Sequence, residues 1–160
     1  MPTTKNKAVL SVAAIKNGTV IDHITAGHAL DIIRLLRLPA EHRQVTVGLN
    51  LPSKKMPLKD LVKVEGIELS KDDVNRVAIL APQATINIIK QYAVVKKFHV
   101  EVPDLIERLF PCPNPSCITN HESMTVSFMT IKAKKDLWLC CRYCEKKFSQ
   151  EELIRRSNSI

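Results

Sequence analysis

Five cysteines, all between positions 112 and 144, are the residues whose type and spacing point most directly to chemistry. Cys112 and Cys117 are separated by four residues, Cys141 and Cys144 by two, and the two pairs by 23. Two short knuckles of this kind grip one tetrahedral Zn²⁺ at about 2.3 Å per thiolate. Four thiolates close the coordination shell, so the expected ion is structural, one per chain. Cys140 could pair with Cys144 instead, but the two-residue spacing is the commoner knuckle and favours Cys141. On an extended segment Cys140 then points away from Cys141 and is expected as a small core residue. His121 could also ligate, although four cysteines leave it the role of a loop histidine. A disulfide is the competing chemistry. No apolar run approaches the roughly 18 residues that span a bilayer, and the opening MPTTKNK lacks the apolar stretch of a signal peptide. The expected compartment is the cytoplasm, which keeps thiols reduced.

A second group of residues could meet an anion: Asp22-His23, and the lysines Lys54, Lys55, Lys59, Lys63, Lys96 and Lys97. Lys59 and Lys63, four apart on an extended segment, face one side and could share a polyphosphate. Spacing alone equally suits a solvated strand face. The formal charge of +8 is unevenly placed: residues 1–100 carry 15 Lys and Arg against 8 Asp and Glu, net +7, whereas residues 101–160 carry 9 against 8, net +1. A polyanion would prefer the first part. With only 4 glycines the chain has no phosphate-cradling loop or dinucleotide fingerprint, and no nucleophile elbow or histidine cluster suggests catalysis.

The elements that must position these groups follow from periodicity. Residues 8–15 and 18–25 read as β-rich stretches around a turn at Asn17-Gly18. Leu30, Ile33 and Leu36 recur at helical spacing over 29–38, closed by Pro39. Residues 43–51 and 59–67 alternate as strands, Ser70 and Asp73 form a capping box for a short helix, and 84–98 reads as a further β-rich segment. The expected fold class is α+β, with an N-terminal ferredoxin-like antiparallel sheet carrying two helices and an extra strand. Val102-Pro103 begins a linker, 104–110 suggests a helical turn or two, and Pro111, Pro113 and Pro115 stiffen the approach to the cysteines. Residues 124–132 and 136–148 then suggest a β-ribbon, so that 1–101 and 102–160 are the expected domains. A zinc-binding unit of about 50 residues is too small for a secure core, so metal binding supplies folding free energy, on the order of 10–16 kcal/mol in small zinc peptides.

Six stretches, GTVIDHI (18–24), TVGLNLPS (46–53), KDLVK (59–63), APQATIN (81–87) and the cysteine segments CPNPSCI and CRYCEKKF, together resemble the aspartate carbamoyltransferase regulatory chain. The resemblance runs in collinear order over residues 9–148. It implies a non-catalytic subunit of an enzyme of pyrimidine biosynthesis, binding CTP and ATP in its N-terminal domain and contacting catalytic chains through its zinc domain. It also implies pairing through the N-terminal sheet, with three regulatory dimers bridging two catalytic trimers. The family's nucleotide site falls on Val12, Ile15, Asp22, His23, Lys59, Lys63, Asn87, Ile89, Tyr92, Val94 and Lys97. The resemblance gives Lys63 and Lys97 phosphate or ribose contacts, Lys59 and His23 triphosphate contacts, and backbone near Ile15 and Tyr92 the base edge. Ala13, where familiar members carry an acid, and the extra Cys140, Pro57 and His99 depart from the pattern.

A zinc-ribbon nucleic-acid-binding protein is the alternative. The near-neutral ribbon half and the few aromatic residues oppose it, so neither nucleic acid nor membrane is an expected partner.

Overall fold

The computed structural model describes residues 13–38 and 42–158. Gly18–Thr25 (β1), Val45–Pro52 (β2), Leu58–Glu65 (β3), Thr85–Lys90 (β4) and Ala93–His99 (β5) form one antiparallel sheet, ordered β2-β3-β1-β4-β5. Ala29–Leu35 (α1) follows β1 and Lys71–Leu80 (α2) follows β3. β1 to β4 with the two helices make the ferredoxin-like βαββαβ arrangement, and β5 is the extra strand. Strand alternation turns Ile21, Val62, Val64, Ile86 and Ile88 toward Ala29, Ile32, Val77 and Ala78 of the helices. α2 starts where its sequence says, since Ser70 and Asp73 complete the reciprocal capping box.

Gly18 is required at the entry to β1. Its φ is +146°, and a Cβ there would meet the Val64 carbonyl oxygen at 2.0 Å.

The second sheet runs β6-β7-β8-β9, from Leu105–Glu107 (β6), Ser127–Ala133 (β7), Asp136–Cys141 (β8) and Lys147–Ser149 (β9). Its core joins Ile106, Phe110, Phe128, Leu139 and Phe148 to three buried cysteines. Phe128 and Phe148 meet edge to face at 6.5 Å between centroids. The helix Gln150–Asn158 (α3) fastens the two sheets together: Leu153 is buried in the second core, Ile154 in the first, and Gln150 Nε2 donates to the Ile79 carbonyl at 2.6 Å.

Three expectations change. Residues 84–98 are a hairpin of two strands, because Gln91 and Tyr92 both take positive φ and reverse the chain. The segment expected as a helical turn contains β6, which pairs Ile106 with Phe128 and buries it. Of the first β-rich stretch, 8–12 lies outside the described residues, and 13–15 carry no strand pairing. Among the described residues no helix is long and apolar enough to cross a membrane.

Candidate metal centre and cationic sheet face

The metal centre is built from two loops held by their own backbones. In the first, the Cys117 N–H donates to the Asn114 carbonyl at 3.0 Å, and Asn120 Nδ2 donates to the carbonyls of Cys112 and Asn114 at 2.9 and 2.7 Å. The second loop closes the β8–β9 turn, where Glu145, at φ +60°, donates its N–H to the Cys141 carbonyl at 2.9 Å. These loops bring Sγ of Cys112, Cys117, Cys141 and Cys144 within 4.8 Å of one another. Cys112–Cys144 and Cys117–Cys141 are 3.7 and 3.8 Å apart. A tetrahedron with about 2.3 Å metal–sulfur bonds has edges of about 3.8 Å, so these two edges already have the length that a Zn²⁺ site requires. They are much too far apart for the ~2.05 Å of a disulfide.

Burial pushes the thiols of Cys112 and Cys141 up. Burial raises Cys117 too, but the Thr119 hydroxyl and backbone, with the neighbouring thiols, bring it down to about 7. Four crowded thiolates need a cation, and bound Zn²⁺ supplies the positive charge and the cross-link between the loops. Cys140 does face away from Cys141, as alternation requires, but it is half-buried rather than a core residue, with Sγ 3.5 Å from the Glu145 carbonyl. His121 is exposed and bonds through Nε2 to the Pro115 carbonyl at 2.8 Å. Asn120, which clamps the first loop, was not among the residues singled out from the sequence. An Asn three positions after a knuckle cysteine was the available signal.

The second candidate site is the face of the first sheet turned away from the helices. Pairing sets Lys63 opposite Val20, Val20 opposite Asn87, and Asn87 opposite Lys97, so these four form a row across β3, β1, β4 and β5. At about 4.8 Å per strand, the two lysine backbones stand about 14 Å apart with an amide between them. Ile15, Val20, Leu61 and Ile89 form an apolar floor that runs through the row: Ile89 lies on its Gly18 side with Val94 beside it, and Leu61 on its Asp22 side. The Tyr92 N–H, bonded to the Lys16 carbonyl at 2.9 Å, ties the β4–β5 turn over the strand ends.

On the other side a bulge between Ile21 and Ile24 presents Asp22 and His23. Burial works to raise Asp22, but Lys59 Nζ at 2.8 Å and the His23 N–H at 2.7 Å hold its carboxyl below the usual range. His23 is lowered by burial, against the attraction of Asp22 and with the repulsion of Lys59, Lys55 and Lys97. Lys63 is lowered by burial and donates to the Ala13 carbonyl at 2.6 Å. The face thus gathers Ile15, Asp22, His23, Lys59, Lys63, Asn87, Ile89, Val94 and Lys97, with Tyr92 at its edge; Val12 lies outside the described residues. Lys96 is not among them, since alternation sends it to the helix side, over the Phe98 ring at 5.3 Å.

Asp60 also escaped sequence reasoning. It is fully buried and accepts from the N–H groups of Gly27, Asn50 and Ala29 at 2.9, 2.9 and 3.3 Å. An acid in register with Val62 and Val64, on the core side of β3, was its signal.

A closed four-thiolate ribbon carried on a ferredoxin-like domain defines the class: a structural-zinc protein whose conspicuous surface is a cationic sheet face. Comparison with known proteins makes it particular. Residues 10–101 match the profile of the aspartate carbamoyltransferase regulatory chain, allosteric domain, and residues 104–154 match that family's metal binding domain. A regulatory chain of this name from Pyrococcus abyssi is 50% identical over 149 residues, 92% of this chain and 97% of the relative. Those from Photobacterium profundum and Methanococcus maripaludis are 45% and 49% identical, covering 92% and 88% of this chain and 96% and 93% of the relatives. The chain belongs to the aspartate carbamoyltransferase regulatory chain family and is a regulatory, non-catalytic subunit. The nucleic-acid alternative gives way to this membership.

Proposed function

We propose that the chain binds nucleoside triphosphates, CTP and ATP, on the outer face of its first sheet and passes their effect to catalytic chains through its zinc ribbon. The observation that carries this reading is the row Lys63–Val20–Asn87–Lys97 crossing an apolar floor. An apolar floor suits a base, an amide suits a ribose or base edge, and flanking ammonium groups suit phosphates. Lys63 and Lys97 take the phosphates or ribose, Lys59 and His23 the triphosphate, and backbone near Ile15 and Tyr92 the base edge. Val12 is carried into the site by the resemblance alone. Residues 1–101 form the nucleotide domain in this reading, 102–160 the zinc domain. The setting is the cytoplasm, with dimers formed through the N-terminal sheet and three of them bridging two catalytic trimers.

Nucleotide alters activity only by binding the two assembly states unequally, with coupling typically about 1–3 kcal/mol. The test is calorimetric titration of CTP into the zinc-loaded chain. Charge-assisted contacts are worth about 1.5–3 kcal/mol, so Lys63→Ala and Lys97→Ala should each weaken binding about 10- to 100-fold. Affinity unchanged in both variants would sink the site assignment.

The ribbon's outer face supports its role in docking. Register sets Leu105, Met129 and Cys140 in one row and Ile131 with Trp138 in the next, and the four large side chains are 36–55% exposed. Contiguous exposed apolar side chains mark interaction surfaces. Trp138→Glu should leave zinc content intact and weaken co-assembly with a catalytic chain by about 30-fold or more, measured by sedimentation. Normal assembly would remove this face from the interface.

A further inference from the structure

The side of the molecule away from the sheet face holds a cleft of about 610 Å³ where the two sheets' layers meet. Arg34 and Arg37 line it from the end of α1, Arg76 from α2, Leu109 and Pro111 from the approach to the first knuckle, and Ser157 from α3. Three arginines therefore line one space, and no Asp or Glu is among its lining residues as described. Arg34 Nη1 lies 3.9 Å from Asp31 and Arg76 Nη1 3.1 Å from Asp73, so each is engaged through one nitrogen. A guanidinium has five N–H donors, which leaves others for a ligand. On the opposite wall Ser157 Oγ is buried and has no hydrogen-bond partner among the described residues.

We propose that this cleft is a second anion site, taking a compact polyanion that carries phosphoryl groups. Planar guanidinium forks match phosphate oxygens two at a time, whereas the cleft offers no amide–lysine row. An anion held here touches α1, α2, the knuckle approach and α3 together, and so couples the orientation of the first sheet to the ribbon. A ligand favouring one orientation biases it. The site is independent of the nucleotide reading; only its regulatory consequence rests on the chain's membership in a regulatory family.

The experiment titrates inorganic pyrophosphate into the full-length zinc-loaded chain at constant ionic strength, while amide shifts are followed by NMR. The chain is compared with an Arg34→Ala/Arg37→Ala variant and a Lys63→Ala/Lys97→Ala variant. Saturable binding is expected, with shifts at Leu109 and Ser157, weakened about tenfold or more by the arginine pair and within about twofold of normal in the lysine pair. Binding that ignores the arginine pair, disappears with the lysine pair, or never saturates overturns the proposal. So does loss of pyrophosphate binding on assembly with a catalytic chain, since the cleft would then be a protein contact. Failure of CTP to bind leaves this result readable, because the arginine variant keeps every residue of the sheet face.

Discussion

Cys112→Ala is expected to abolish zinc binding and unfold the ribbon. Removing one of four thiolates opens the shell and leaves the other three crowded without the charge that holds them. The binding free energy lost is on the order of the 10–16 kcal/mol found for small zinc peptides, which exceeds what a domain of this size has in reserve. The second core contains the cysteines themselves, together with Ile79 from α2 and Leu153 from α3, so little of it survives without the metal. Trp138 is the chain's 1 tryptophan and sits on β8, so its near-ultraviolet circular dichroism reports the ribbon alone. The variant, or the wild type treated with a strong chelator, should lose the near-ultraviolet circular dichroism of Trp138 and show zinc content near zero. Cys140→Ala should retain zinc, because its sulfur faces the Glu145 carbonyl rather than the cluster. Zinc loss in that variant would overturn the ligand assignment. Retained Trp138 dichroism in the metal-free chain would show that the ribbon folds on its apolar core alone.

Asp60→Ala carries the second large effect, and it falls on the first sheet. Its carboxylate joins three places that the chain brings together only on folding: the turn at Gly27, the start of α1 at Ala29, and the bulge of β2 at Asn50. Gly27 and Asn50 both hold positive φ, conformations that these bonds help fix. Alanine leaves three N–H groups without their acceptor, at about 1–3 kcal/mol for each that water cannot reach. A total of about 3–5 kcal/mol is expected, lowering the melting temperature of this domain by about 12 °C or more. Zinc content should be unchanged, since Asp60 lies in the other sheet. A shift under about 4 °C would mean that water replaces the carboxylate.

The metal centre was legible because its determinants are local. Knuckle spacing sets how four sulfurs can approach one ion, and the expected ligand set is the one the structure gathers. The capping box at Ser70 was legible for the same reason, since both partners lie within one helical turn. The cationic face was legible only in pieces. Lys59 and Lys63 share a side by strand period, but the row from Lys63 to Lys97 depends on three strand pairings, of which Val20 with Asn87 joins positions 67 apart. Residues 84–98 read as one β-rich segment because β-branched residues run through it. The reversal comes from positive φ at Gln91 and Tyr92, which their residue types do not announce. Asp60 was passed over because acids on strands are usually solvated, and only the closing of α1 and β2 over β3 buries it.

By itself the sequence determined the four metal ligands, the ferredoxin-like α+β class and the cationic bias of the first hundred residues, all of which follow from spacing, period and composition. Tertiary structure alone decided which lysines share a face, which carboxylate is buried, and how α3 joins the two cores with Leu153 in one and Ile154 in the other. Those outcomes depend on register and on packing between distant segments, and a one-residue slip in a strand would send every side chain to the opposite face.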